Sequence, residues 1–288
     1  MRLKAGQEGL DDTIMSKRIS DFLLVTDLDQ TLLDGENGIP KRNLLAIERF
    51  RKAGGRFTIA TGRSIESARR VIQGLGIDTP AVLNNGSVVY DYKTEQILLQ
   101  HRLPDSIKQI AYDLLDRFPS AGGEAFSGRD VYILQYNDFI HMHIQLEGFP
   151  FLEALRGTPT SEWTKVLFAD SPEVILHMSR YAAELQGVDA RFVMSSPSYL
   201  EILPQSANKG TGLVHLAKIL GVATENTAAI GDFYNDAEMI QAAGIGAFAE
   251  NAPDDLKKTA DIVVGQCKDG AVADLIEYIE TLCSPVHQ

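Results

Sequence analysis

Apolar positions along this chain change period several times, and each change marks an element. Phe22 to Val25 form a continuous apolar run that meets Thr26 and then two acids, Asp27 and Asp29, with Asp34 close behind. A short run with no polar alternation predicts a buried strand. In KRNLLAIERFRKAGG, Leu44, Leu45, Ile47 and Phe50 recur on a helical stripe that Gly54 and Gly55 end. RFTIAT is a second apolar strand. Ser64 caps a further helix, SIESARRVIQGLG, with Glu66 in its first turn and Gly74 and Gly76 at its end. PAVLNNGSVVYD reads as strand, turn, strand, because Asn85–Gly86 is a hairpin dipeptide. Strand and helix thus alternate up to Leu83, which predicts parallel strands joined by right-handed crossovers.

Beyond Gly86 the pattern is different. Short strands (QILLQHRL, DVYILQY, HMHIQL, TKVLFA, RFVMSS, YLEIL) mix with two helical segments, Asp105–Phe118 and Pro172–Leu185. Such a mixture predicts an α+β module with an antiparallel sheet and helices on one face. After Pro204 the alternation resumes, from KGTGLVHLAKILG through TAAIGD to GAVADLIEYIETL. The expected organisation is a loose N-terminal extension over 1–19, an α/β core with a Rossmann-like parallel sheet over 20–85 and 204–288, and an inserted α+β domain over 86–203.

Composition agrees with two domains: the chain has 288 residues, 44% hydrophobic and 23% charged. No apolar run approaches the roughly 20 residues that span a bilayer, so no membrane is expected as a partner. The first residues lack the apolar core of a signal peptide, which predicts a cytoplasmic location. A formal net charge of −12 argues against a nucleic-acid partner, whose phosphates are bound by Lys and Arg. It leaves a small anionic ligand open, since local cations decide that. Cys267 and Cys283 form no metal or disulfide framework, and nothing in the sequence fixes an oligomeric state.

In an open α/β sheet the reactive crevice lies beyond the carboxyl ends of the strands. After the first strand come Asp27, Asp29 and Thr31; after the second come Thr61, Gly62 and Arg63; Lys209 opens the helix that follows the insertion; GDFYND supplies Asp232, Asn235 and Asp236. Carboxylates at i and i+2 on an extended chain share a face and repel unless a cation or a proton lies between them. A set of oxygen donors suits a hard divalent cation such as Mg2+. Elsewhere, His141 and His143 share a face on a predicted strand, a spacing that binds transition metals; with no third ligand nearby, a structural role is the better expectation.

DLDQT, the Thr61 of TIATGR, Lys209 and GDFYND resemble, in order, the four motifs of the haloacid dehalogenase superfamily of aspartate-nucleophile phosphatases. PAVLNNGSVVYD, LPQSANKGTGL, NAPDDLKKTADIV and KDGAVADLIE resemble its Cof-like subfamily, whose insertion is a type IIB cap. The resemblance spans about residues 20–280. It implies a nucleophilic Asp27, an acid and base in Asp29, and Thr61 and Lys209 on the phosphoryl oxygens. It implies Mg2+ on Asp27, the Asp29 carbonyl and Asp232, with Asn235 and Asp236 in support. Arg63, Asn85 and Gly86 are expected to contact the substrate, a small phosphorylated metabolite of the sugar phosphate class. Sucrose-phosphate phosphatases and phosphomannomutases share these motifs, and a metabolite-binding protein could retain the fold. Two departures stand out: Gln30 replaces the usual Gly of the first motif, and Phe233 follows Asp232 where a small residue is common.

Overall fold

The computed structural model describes residues 17–148, 151–153 and 162–283. The expected extension therefore lies outside the described residues up to residue 16. From the N-terminus the elements are β1 (Leu23–Thr26), α1 (Lys41–Lys52), β2 (Arg56–Ile59), α2 (Ile65–Leu75), β3 (Ala81–Leu83), β4 (Val88–Asp91) and β5 (Gln96–Gln100). There follow α3 (Ser106–Arg117), β6 (Gly122–Ser127), β7 (Asp130–Gln135), α4 (Asp138–Glu147), β8 (Leu152–Glu153), β9 (Lys165–Ala169), α5 (Pro172–Ala183), β10 (Ala190–Ser196) and β11 (Tyr199–Pro204). The chain ends with α6 (Lys209–Leu220), β12 (Thr227–Gly231), α7 (Ala237–Ala242), β13 (Ile245–Ala249), α8 (Asp254–Lys257), β14 (Ile262–Val264) and α9 (Ala271–Leu282).

The core is a parallel sheet in the order β14-β13-β12-β1-β2. Its strands are mostly apolar because helices cover both faces. One face packs Ala46, Ile47 and Phe50 of α1 with Ile65, Ala68 and Ile72 of α2 and Leu275, Ile276 and Ile279 of α9. The other packs Leu213 and Leu216 of α6 with Met239 and Ile240 of α7 and Leu256 of α8. From β1 the chain proceeds outward to β2, whereas from β12 it proceeds outward to β13 and β14. The switch point therefore falls between β1 and β12, and the crevice belongs beyond their carboxyl ends.

The expected hairpin of β3 and β4 is present, but β3 is only lightly joined to the parallel sheet, and β5, expected in the α+β part, lies beside β4 instead. β3 touches the parallel sheet through a single bridge, Ala60 to Val82, and otherwise pairs antiparallel with β4, which pairs with β5. The turn between β3 and β4 occupies Asn84 to Ser87, and Asn84, Asn85 and Gly86 are all left-handed, at φ 48°, 52° and 95°.

The α+β part is a six-stranded sheet in the order β10-β11-β9-β6-β7-β8. α3 and α5 pack on one face through Ile107, Leu114, Ile175 and Met178. On the other face, Ile140 of α4 meets Phe126, Ile133 and Leu167. The expectation of an antiparallel sheet with helices on one face fails, since α4 covers the second face and β7 pairs parallel with β8, and two local readings fail with it. GGEAFS is a strand, β6, although its glycines hid it; they leave room for α4, since a Cβ on Gly122 would stand 2.3 Å from Ile140 Cγ1. HMHIQL is helical rather than a strand: Asn137 caps α4, its side chain accepting from the Ile140 amide at 2.8 Å. Residues two apart on a helix do not share a face. His141 is accordingly exposed, 2.9 Å from Gln145, while His143 is buried with Nδ1 3.0 Å from Glu124.

Candidate active site

Each chemical group reaches the crevice by a short local argument. β1 delivers Asp27, whose amide donates to the Ile230 carbonyl of β12 at 2.8 Å. β12 delivers Asp232. Lys209 is the first residue of α6, fixed by a reciprocal cap: Asn208 Oδ1 accepts from the Thr211 amide at 2.7 Å, and Thr211 Oγ1 accepts from the Asn208 amide at 3.1 Å. Gly86 permits that placement. A Cβ on it would fall 2.0 Å from the Asn208 carbonyl oxygen, so only glycine lets the turn approach the start of α6.

Lys209, fully buried, donates to Asp27 Oδ1 at 2.5 Å and Asp236 Oδ1 at 2.6 Å. The other oxygen of Asp236 accepts from the amides of Asp232 and Phe233, each at 3.0 Å, and so folds the GDFYND loop upon itself. Thr31 Oγ1 donates to Asp232 Oδ1 at 2.8 Å, and Asn251 Nδ2 to its Oδ2 at 3.3 Å. Carboxylate oxygens of Asp27, Asp232 and Asp236 lie within 4.8 Å of one another.

One buried ammonium beside three carboxylates leaves the group short of positive charge. Burial pushes the Asp27 carboxyl well above its ordinary range, and Asp236, Asp232 and Asp29 add to this against the pull of Lys209. Burial, with Asp236, raises Asp232 to about 6 despite the Thr31 hydrogen bond. For Lys209 burial acts in the opposite direction, but Asp236 and Asp27 outweigh it and hold the ammonium charged above its ordinary range. Oxygen donors that lack a countercharge fit a divalent cation.

The remaining expected residues fall into two groups. Thr61 is buried at the end of β2, its amide on the Val82 carbonyl at 2.9 Å and its hydroxyl accepting from the Arg63 amide at 3.1 Å. The Asp29 carboxylate lies apart from the Lys209 ammonium that meets Asp27. That carboxylate, 55% exposed, takes a bidentate pair from Arg63 at 2.6 and 3.0 Å. β1 ends at Thr26, so both acids lie beyond the strand, and their carboxylates meet different side-chain cations: Lys209 on Asp27 and Arg63 on Asp29. Asn235 donates to Asn85 Oδ1 at 3.1 Å; Asn85 in turn donates to Glu201 at 2.6 Å. Both ends of the Asn85 side chain are thus engaged by protein.

Three contributors escaped the sequence reading of individual residues. Asn251 lies in the quoted NAPDDLKKTADIV stretch, and its Oδ1 also accepts from the Cys267 amide at 3.0 Å. Lys165 and Glu201 are charged residues buried in β9 and β11. The signal for them was a Lys and a Glu inside otherwise apolar strands, since a buried charge demands a partner. Among the described residues, no helix is long and apolar enough to cross a membrane.

A family model described as haloacid dehalogenase-like hydrolase matches residues 24–276. Phosphatase YwpJ of Bacillus subtilis (strain 168) is 29% identical, the alignment covering 89% of this chain and 99% of that protein. HMP-PP phosphatase of Klebsiella pneumoniae (strain 342) is 27% identical over 89% of this chain and 94% of its own length. A solved structure of a sugar phosphatase from haloacid dehalogenase subclass IIB superposes with a TM-score of 0.77 at 18% identity, covering 90% of this chain and 99% of that one. That likeness covers nearly all of both chains, so the fold is the α/β core with a type IIB insertion. With the matched region spanning β1 to α9, this chain belongs to the haloacid dehalogenase-like hydrolases.

Proposed function

We propose that the protein is a Mg2+-dependent phosphatase that hydrolyses a small phosphomonoester, of the sugar phosphate class, through an aspartyl phosphate. The observation that carries this reading is the buried group of Asp27, Asp232 and Asp236 around Lys209 at the switch point of the sheet. The phosphatases among its relatives, one of them an HMP-PP phosphatase, support a small phosphorylated metabolite as the substrate class.

Asp27 attacks phosphorus through a carboxylate oxygen, and the leaving alkoxide takes a proton from Asp29. Asp29 then removes a proton from the water that hydrolyses the acyl phosphate, which frees Asp27. Lys209 and Thr61 donate to the phosphoryl oxygens as charge develops there. Asp27, the Asp29 carbonyl and Asp232 would hold the ion, with Asp236 and Asn235 keeping their loop in place. When bound, Mg2+ offsets the repulsion between the carboxylate and the phosphate as they approach. Arg63 orients the Asp29 carboxylate and, at the mouth of the crevice, reaches the substrate. Asn85 and Gly86 contribute by holding loops, because their contacts are with Glu201, Asn235 and Asn208.

The test is phosphate release from a panel of sugar phosphates and other phosphomonoesters, with and without Mg2+, for the wild type and Asp27→Asn. Metal-dependent release that vanishes in Asp27→Asn is the expected result. Isomerised rather than dephosphorylated product would indicate a mutase. Ligand binding without turnover across the panel would refute the hydrolytic reading in favour of a binding protein.

A further inference from the structure

The six-stranded sheet turns a charged pair toward the core. Register sets Phe126 opposite Lys165 and Leu167 opposite Glu201, so both charges share the face that carries Phe126 and Leu167. Their side chains are 2% and 3% exposed. Without water, each must find its partners in protein, and the decisive partners belong to the core. Lys165 Nζ donates to the Gly62 carbonyl at 2.7 Å, lies 4.2 Å from the centroid of the Phe126 ring, and stands 3.5 Å from Glu201 Oε1. Glu201 Oε1 accepts from Ser195 Oγ at 2.8 Å, and Oε2 accepts from Asn85 Nδ2 at 2.6 Å. Asn85 continues the chain by accepting from Asn235 at 3.1 Å. It holds a left-handed backbone at φ 52°, a conformation that Asn tolerates better than other side chains.

Gly62 follows Thr61, and Asn235 precedes Asp236. Two hydrogen bonds from one sheet therefore reach the Thr61–Arg63 loop and the β3–β4 turn, and a third, from Asn235 to Asn85, carries the second of them on to the Asp232–Asp236 loop. The β3–β4 turn also holds the Thr61–Arg63 loop directly: the Asn85 amide donates to the Thr61 carbonyl and the Asn84 amide to the Arg63 carbonyl, both at 3.0 Å.

We infer that Lys165 and Glu201 are positioning residues for the proposed site, tying the Thr61–Arg63 loop and, through Asn85, the Asp232–Asp236 loop to the inserted sheet. The inference rests on the catalytic reading of that site. A cap residue that reads the leaving group changes which substrate is preferred. A positioning pair acts alike on every substrate, because the parts it holds are used in every turnover.

The test compares wild type with Glu201→Leu, Glu201→Gln, Lys165→Met and the double variant Lys165→Met/Glu201→Gln, which carries no lone buried charge. Phosphate release over the panel is paired with thermal melting and with amide hydrogen exchange resolved at residues 61–63 and 84–86. Glu201→Leu is expected to lower kcat about 100-fold, the scale of a misplacement near 1 Å, by one common factor for all substrates. KM should change less than about threefold, as for groups that act apart from ground-state binding. Glu201→Gln keeps an acceptor for Asn85 and should recover most of the loss. In Glu201→Leu, Lys165→Met and the double variant, exchange should accelerate at 61–63 or 84–86 while the rest of the core keeps its protection. A reordered substrate preference with kcat retained would make the pair substrate ligands and overturn the inference; unchanged exchange in both loops would overturn it as well. A wild type that turns over nothing would sink the proposed function, while the exchange data would still decide whether the sheet holds the loops.

Discussion

Lys209→Met is the sharpest test of the electrostatics in the crevice. The substitution keeps the length and burial of the side chain but removes the ammonium that Asp27 and Asp236 share at 2.5 and 2.6 Å. Hydrogen bonds to charged groups contribute about 1.5–3 kcal/mol each, and removing one partner of a buried ion pair costs about 3–5 kcal/mol, because the other charge is stranded. The lower figure applies where the stranded carboxylates can take up protons. Burial already holds Asp27 well above its ordinary range and Asp232 at about 6, and loss of the cation drives both higher. The native state of the variant then binds more protons than the unfolded chain, so its stability falls as pH rises. In a chain of this size, 1 kcal/mol corresponds to about 2–4 °C, so the loss should be near 10 °C at pH 8 and smaller at pH 5.5. Thermal melting of metal-free protein at both pH values measures it. A loss under about 2 °C, the scale of 1 kcal/mol or less, or one that is equal at the two pH values, would refute the claim that Lys209 neutralises buried carboxylates.

Three other outcomes follow from the same geometry. In metal-free wild type, the neutral form of Asp232 stabilises the fold below the unfolded value of about 3.9, and that contribution is lost as pH rises through about 6; melting scans should show the decline, and added Mg2+ should reverse it above pH 6. Gln30→Gly relieves a left-handed residue at φ 64°, a strain of about 1–2 kcal/mol partly offset by the roughly 0.5–1 kcal/mol entropy of glycine, so denaturant unfolding should show a net gain of up to about 1 kcal/mol. Gly86→Ala drives a Cβ to 2.0 Å from the Asn208 carbonyl at a backbone φ of 95°; overpacking of about 1–3 kcal/mol and displacement of α6 should together lower stability and abolish turnover, as melting and phosphate release would record.

The convergence of Asp27, Thr61, Lys209, Asp232 and Asp236 was legible because strand ends in a parallel sheet meet at one edge, and the apolar runs before them mark where those ends fall. What these side chains do to one another was less legible. The spacing of Asp27 and Asp29 argued for a cation beside them, but it could not show that the Asp29 carboxylate is met by Arg63, 34 residues later, while Lys209 meets Asp27. Local sequence shows a repulsion; only the fold shows which cation answers it.

Alternation misled for a related reason. HMHIQL has a strand's period, yet Asn137 caps a helix there, and Ile140, His143 and Ile144 turn to the sheet while His141 and Met142 remain exposed. β9 and β11 were recognised as strands, but the one sign that Lys165 and Glu201 point inward, a charge within an otherwise apolar run, did not say what they would meet. A charged residue in a short strand is normally read as its solvent face, and that reading holds only while a sheet has a solvent face at that point. Here the core approaches with Gly62 and Asn85, leaving the charges dry and determining their partners. The pair therefore records a contact between two parts of the chain, which is why neither strand alone could disclose it.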